Sequence, residues 1–275
     1  MNISDLHRDS DVFSKKEKMP VLFLGHGSPM NAIEENQFVD GFRLLAKTLP
    51  RPMAILCISA HWYISCTKVT AMNMPQTIHD FGGFPKELYD VQYPAPGSPE
   101  LAQETKELLS PTVVELDQKW GLDHGAWSVI KHLYPGADVP IIELSIDYTK
   151  SPGYHFNLAK QLVSLREKGI LIIGSGNIVH NLRLVDWQNF GQDDFGFDWA
   201  TEAKETINQW LLDGNYQPII HYDKQVRAIQ LAVPTPDHYL PLIYALGLKD
   251  KKDKIELFND KMVAGSLSMT SLKIS

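Results

Sequence analysis

The sequence predicts a single α/β domain: a central β-sheet flanked by helices, with a metal site at the strand ends. Two observations predict the sheet and its helices, and a third predicts the site. Short runs rich in Val, Ile and Leu, such as 21–24, 54–59 and 170–173, suit strands buried on both faces. They alternate with longer amphipathic stretches, the order expected of a sheet covered by helices on both sides. Histidines stand just beyond three of the apolar runs, at His26, His61 and His180.

In chain order the strands are expected over 21–24, 54–59, 68–72, 112–116, 139–146, 170–173, 255–258 and 266–274. Helices are expected over 36–48, 99–109, 126–133, 153–167, 199–212 and 236–246. Residues 74–99 carry Gly and Pro at a density that suits neither element, with FGGFP at 81–85 and YPAPG at 93–97. A long ordered loop of this kind is usually functional. No repeat or Gly/Ser linker divides the remainder, and chains split only beyond about 250–300 residues. One catalytic domain over 19–275 is therefore expected, preceded by a flexible extension over 1–18, which is polar, mixed in charge and without a signal-like apolar core.

Composition narrows the function. Hydrophobic residues at 44% and charged ones at 21% are those of a globular chain, not of a disordered or coiled-coil one. No apolar run approaches the roughly 18 residues of a membrane span, so no membrane partner is expected. A net charge of −7 without a basic cluster excludes nucleic acid as a partner, because phosphate contacts supply most of that affinity. Cys57 and Cys66 show no metal-binding or redox spacing and are expected as reduced thiols in a cytoplasmic protein.

In open α/β sheets, ligands bind beyond the carboxyl ends of the strands, where neighbouring loops converge. One histidine there is usually a hydrogen-bonded loop residue; three in the same context favour a metal, for which neutral imidazole is the commonest ligand. His124 (GLDHGAW) and His238 (TPDHYLP) join them at expected helix starts. His7, His132, His155 and His221 read as structural. HExxH, the P-loop, GxGxxG after a strand and GxSxG are all absent. The glycines around His26 and Ser175 are read as allowing close backbone approach to a ligand.

Seven segments in order complete the pattern: LFLGHGSPMN (22–31), ISAHW (58–62), TIHDFGGFP (77–85), YPAPGSPELA (93–102), GLDHGAW (121–127), GSGNIVHNLR (174–183) and TPDHYLPLIYALG (235–247). Together they resemble the 4,5-DOPA extradiol dioxygenase family of class III ring-cleaving dioxygenases, related to the protocatechuate 4,5-dioxygenase catalytic subunit. The resemblance implies an α/β fold whose central mixed β-sheet is flanked by helices, and one divalent metal held by His26, His61 and His238, with His180 a further ligand or the catalytic acid/base and His124 second for that role. It also implies a catechol such as DOPA and O2 as substrates. Ser28, Ser175 and Asn177 are candidates to bind substrate oxygens, and Phe81, Phe84 and Trp62 to wall the pocket. Better-known extradiol sites hold Fe(2+) with two His and one carboxylate; here a neutral His238 takes the third place unless Asp237 or Glu143 contributes. Zn(2+) is thus expected in the protein as purified and Fe(2+) for O2 chemistry. A zinc hydrolase of amides or esters, or a non-catalytic binding protein on the same scaffold, is the alternative.

Overall fold

The computed structural model describes residues 18–189 and 191–275, and all of the expected extension over 1–18 except Lys18 lies outside them. Lys18 already belongs to the fold: its ammonium lies 3.0 Å from the carboxylates of both Asp250 and Asp253. The main sheet contains β1 (Val21–Gly25), β2 (Ala54–Ser59), β3 (Ile141–Glu143), β4 (Ile170–Gly176), β5 (Ile255–Phe258) and β6 (Ser271–Ile274). Their spatial order is β3-β2-β4-β1-β6-β5. The first four run parallel, and the β5–β6 pair closes the β1 edge in antiparallel fashion. The mixed sheet is as expected.

The period of two along each strand divides the core between the faces. Val21, Phe23, Leu56 and Ile58 point to one side, where they meet Leu242 and Tyr244 of α6 (Leu240–Gly247) and Leu158 of α4 (Pro152–Lys160). Leu22, Leu24, Ile55 and Cys57 point to the other, against Trp127 and Ile130 of α3 (His124–Leu133) and Phe42 of α1 (Gln37–Ala46). The other long helices are α2 (Pro99–Leu108) and α5 (Asp198–Leu212). Side chains of Asn36, Ser98, Asp123 and Ser151 cap α1 to α4 by accepting backbone N–H groups of the first turn.

Three expected elements divide and a fourth starts late. The 139–146 run is β3 followed by Ile146–Asp147, which leaves the sheet to pair with Tyr63–Ile64. The 266–274 run is Leu267–Ser268, paired with Met262–Val263, and then β6. The 153–167 helix breaks into α4 and Val163–Glu167. The 236–246 helix starts only at Leu240, because Pro236 O accepts from Tyr239 and Leu240 in a preceding turn. His238 therefore sits in that turn, not in a helix. Strands Thr67–Thr70 and Val114–Asp117 pair with each other, outside the main sheet. Cys57 and Cys66 are unbridged, and among the described residues no helix is long and apolar enough to cross a membrane.

Register places the site. Gly25 of β1 and Ser59 of β2 lie opposite Gly176 and Ser175 of β4, so three strands end side by side. Beyond that edge the chain is still stitched together. His26 N–H donates to Gly176 O at 3.1 Å, and Ala60 N–H donates to Ser175 O at 3.0 Å.

Candidate active site

Five histidines converge beyond this edge. His26 and His61 follow β1 and β2 directly. His124 opens α3, fixed by the Asp123 cap. His238 is brought in by its backbone, whose carbonyl accepts the Asn177 N–H at 2.9 Å. That approach requires Gly176, where a Cβ would lie 2.1 Å from His238 O. The glycines beside Ser175 thus admit the backbone of the His238 turn, not a ligand, which corrects the expectation. His180 N–H is held by Ala232 O at 2.9 Å.

The rings of His26, His61 and His238 form a triangle with all three centroid separations at 5.1 Å. His124 packs on His61 at 3.9 Å, and His180 stacks flat on His238 at 3.6 Å. Ligating atoms of His26, His61 and His124 lie within 4.8 Å of one another, as do those of His180, Asp237 and His238. The Nε2 atoms of His26 and His61 are 3.3 Å apart.

The partners at Nδ1 decide what those two nitrogens carry. Ser175 Oγ donates its one proton to Gly125 O, a pure acceptor, so at 2.9 Å it accepts from His26 Nδ1–H. His61 Nδ1 faces the Asp80 carboxylate at 3.3 Å, which favours the proton there. Both Nε2 atoms then present lone pairs to each other, which is unfavourable without a cation between them. Two nitrogens about 2.0–2.1 Å from one tetrahedral ion are about 3.3 Å apart. On this test the residues fit a divalent metal. Asp237 repeats the pattern on the third histidine, with Oδ2 2.5 Å from His238 Nδ1. Such carboxylate and hydroxyl partners orient ligating imidazoles and raise their basicity.

Electrostatics agree. Burial first, then the neighbouring histidines, pushes the His26 and His61 pKa values well below the ordinary imidazole value, keeping the rings neutral. Burial brings His180 down to about 3, with the nearby His238 adding to the effect. Burial opposes ionisation of Asp80, but its hydrogen bond to His124 and its closeness to the His124 and His61 imidazoles hold its carboxyl below the usual range. Asp80 Oδ1 accepts the His124 backbone N–H at 2.8 Å and lies 3.0 Å from His124 Nδ1. Asp80 escaped the sequence reading, although it lies in the loop singled out as functional. That loop delivers Asp80, Phe81 and Phe84 together.

The histidines line a cavity of about 410 Å³ whose other walls include Met30, Phe81, Phe84, Leu182 and Ser28. Ser28 keeps its candidacy, although its Oγ already accepts Met30 N–H. Ser175 and Asn177 do not. Ser175 is fully buried between His26 and Gly125, and Asn177 Nδ2 donates to Ser268 O at 2.7 Å away from the cavity. Trp62 stacks on Trp120 at 5.6 Å outside the cavity. Glu143 is buried under Asp123, accepting its N–H at 2.9 Å, and is no part of the cluster. His132 and His155 are structural as expected, each bonded to a backbone carbonyl. His7 lies outside the described residues, and His221 is exposed in a turn.

Residues 20–271 match the family described as the catalytic LigB subunit of aromatic ring-opening dioxygenase. The chain belongs to that family. This ring-opening dioxygenase is 47% identical over 268 residues to the 4,5-DOPA dioxygenase extradiol of Escherichia coli K12, covering 96% of this chain and 97% of that one. A protein of the same name from Beta vulgaris is 35% identical over 262 residues, 92% of this chain and 95% of that one. The crystal structure of an uncharacterized protein from Escherichia coli K12 superimposes with a TM-score of 0.81 at 43% identity, over 94% of this chain and all of that one.

The Ser175 bond to His26 carries a testable consequence for this dioxygenase. Ser175→Ala frees the His26 ring to rotate and to change tautomer. Metal affinity should fall roughly 10–100-fold, the usual effect of losing such a partner. Competition with a chelator checks it, and unchanged affinity would show that Ser175 does not orient His26.

Proposed function

We propose that this dioxygenase opens the ring of a catechol in the extradiol manner, with DOPA as the first candidate, using one divalent metal held by the Nε2 atoms of His26, His61 and His238. The observation that carries the reading is the pair of facing Nε2 atoms of His26 and His61, 3.3 Å apart on an apolar cavity, with the Nδ1 atoms turned to Ser175 and Asp80. DOPA follows from the names of the Escherichia coli and Beta vulgaris relatives. The metal, when bound, supplies Lewis acidity and, if it is iron, redox chemistry toward O2, which zinc lacks.

The chain's own residues do the rest. Phe81 and Phe84 wall the cavity with apolar surface, which suits a flat aromatic ring and excludes water. His124 takes a phenolic proton at Nε2, while Asp80 beside Nδ1 stabilises the charge that results. His180, kept neutral by burial, offers a lone pair or N–H to the oxygen on the other side of the triangle. The Asp80 contact supports His124 ahead of His180 as proton carrier, whereas the sequence reading put His180 first. Residence in the cytoplasm accords with the two unbridged cysteines.

An all-imidazole triad suits zinc as well as iron, and affinity rises from iron to zinc. Protein purified without added iron should therefore carry zinc and consume little O2. Anaerobic loading with Fe(2+), followed by DOPA and air, should produce O2 uptake and a coloured ring-opened product. Ester or amide hydrolysis by the zinc form, with no O2 uptake by the iron form, would overturn the proposal.

A further inference from the structure

The catechol cavity holds five imidazoles but no Lys, Arg, Asp or Glu. Nothing in it can pair with the charged end of an amino-acid-like substrate, so that end must leave the chamber. Two side cavities adjoin it. One shares Gly27, Ser28 and Leu267 with the chamber, and its charged lining is Glu34, Asp193 and Asp194. The other, of about 300 Å³, shares His180, Leu182 and His238, and its charged lining is Arg183 and Asp237. Asp237 is already engaged with His238 Nδ1 at 2.5 Å. Arg183 is not engaged.

Among the described residues, the guanidinium of Arg183 has no hydrogen bond or ion pair, whereas Arg43, Arg51 and Arg166 each sit on a carboxylate. Arg227, also without a carboxylate, lines neither the chamber nor its two side cavities. Arg183 is exposed where it lines the side cavity, so its guanidinium is open to a carboxylate that reaches out of the chamber. The arginine is also held in place by its backbone. Asn181 Oδ1 accepts the Arg183 N–H at 3.2 Å, while Asn181 Nδ2 donates to Leu231 O at 2.8 Å. Ser266 Oγ donates to Asn181 O at 2.9 Å. The backbone from His180 to Arg183 is thereby tied on both sides, so the guanidinium has a fixed base beside the ring stack of His180 and His238.

We infer that Arg183 selects the substrate by binding a carboxylate on the catechol's side chain, in the cavity beside His180. The inference rests on the catechol reading above and adds to it the anionic group that the protein recognises. Arg suits the task, since its planar fork meets a carboxylate with two parallel N–H donors. Catechols with a short carboxylate tail should bind better than 4-methylcatechol or dopamine, which lack the acid.

The test is anaerobic equilibrium binding, by calorimetry on the metal-loaded protein, so that turnover is not required. The ligands are 3-(3,4-dihydroxyphenyl)propionate, dopamine and 4-methylcatechol. The variant Arg183→Met removes the charge and keeps an apolar stem; Arg183→Lys restores charge without the fork. A hydrogen bond between charged groups contributes about 1.5–3 kcal/mol. Arg183→Met should therefore weaken the propionate roughly 10–100-fold, at about 1.4 kcal/mol per tenfold. Arg183→Lys should recover part of the loss, and the other two ligands should change less than threefold. In turnover the loss should appear in KM, with kcat close to wild type. Equal propionate binding by wild type and Arg183→Met overturns the inference, as does wild type binding the propionate no better than 4-methylcatechol. Both results can occur in an enzyme that cleaves catechols normally, whereas absent O2 uptake with intact discrimination fails only the functional proposal.

Discussion

His26→Ala and His61→Ala should each leave a folded protein that is almost free of metal and inactive in ring cleavage. Each removes a nitrogen from the pair that faces across 3.3 Å, so the remaining histidine no longer shares an ion. Loss of an orienting partner alone costs about 10–100-fold in affinity, and loss of the ligand itself should exceed that. The fold should survive because both residues lie beyond β1 and β2, outside the strand-to-strand pairing. His26→Ala carries the larger stability cost. It leaves the buried Ser175 Oγ short of a donor, an effect on the order of 1–3 kcal/mol. At about 2–4 °C per kcal/mol for a domain near this size, Tm should drop by a few degrees. Elemental analysis beside thermal unfolding of the metal-free forms separates the two effects. Full metal occupancy in both variants would remove these residues from the centre.

The second large effect is expected at His124. His124→Gln should keep the metal and lose roughly 10²–10⁴-fold in kcat, the usual contribution of a positioned acid or base. Asp80→Asn should cost less, about 10–100-fold, because it leaves the imidazole in place and removes only the charge beside it and beside His61. His180→Gln is the informative comparison. Its ring stacks on His238 without a carboxylate of its own at Nδ1 or Nε2, so its loss should affect kcat less than the loss of His124. Steady-state O2 uptake with metal content measured on the same samples decides the order. If His124→Gln loses the metal instead, His124 is a ligand, as its place within 4.8 Å of His26 and His61 would then explain. If His180→Gln shows the larger loss of kcat with metal retained, His180 is the proton carrier.

The sequence alone determined the buried aliphatic strands of the sheet and the positions of three of the five histidines, His26, His61 and His180, relative to them. Those features are local: aliphatic runs must be buried on both faces, and the residues just after such a strand must emerge at its carboxyl edge. The division of 139–146 and 266–274 was not legible, because a buried strand and a strand that changes partners have the same apolar composition. Nor was the helix start at Leu240, which a turn closed on Pro236 O decides. The roles of Ser175, Asn177 and Asp80 belonged to the tertiary structure entirely. A serine between His26 and Gly125, or an aspartate between His61 and His124, joins segments far apart in the chain. The tautomers that free two Nε2 lone pairs depend on which donor meets which acceptor, and only the folded chain brings those groups together. Sequence placed three of the histidines at one edge of the sheet; packing decided which donors and acceptors meet their nitrogens, and thereby what the site can hold.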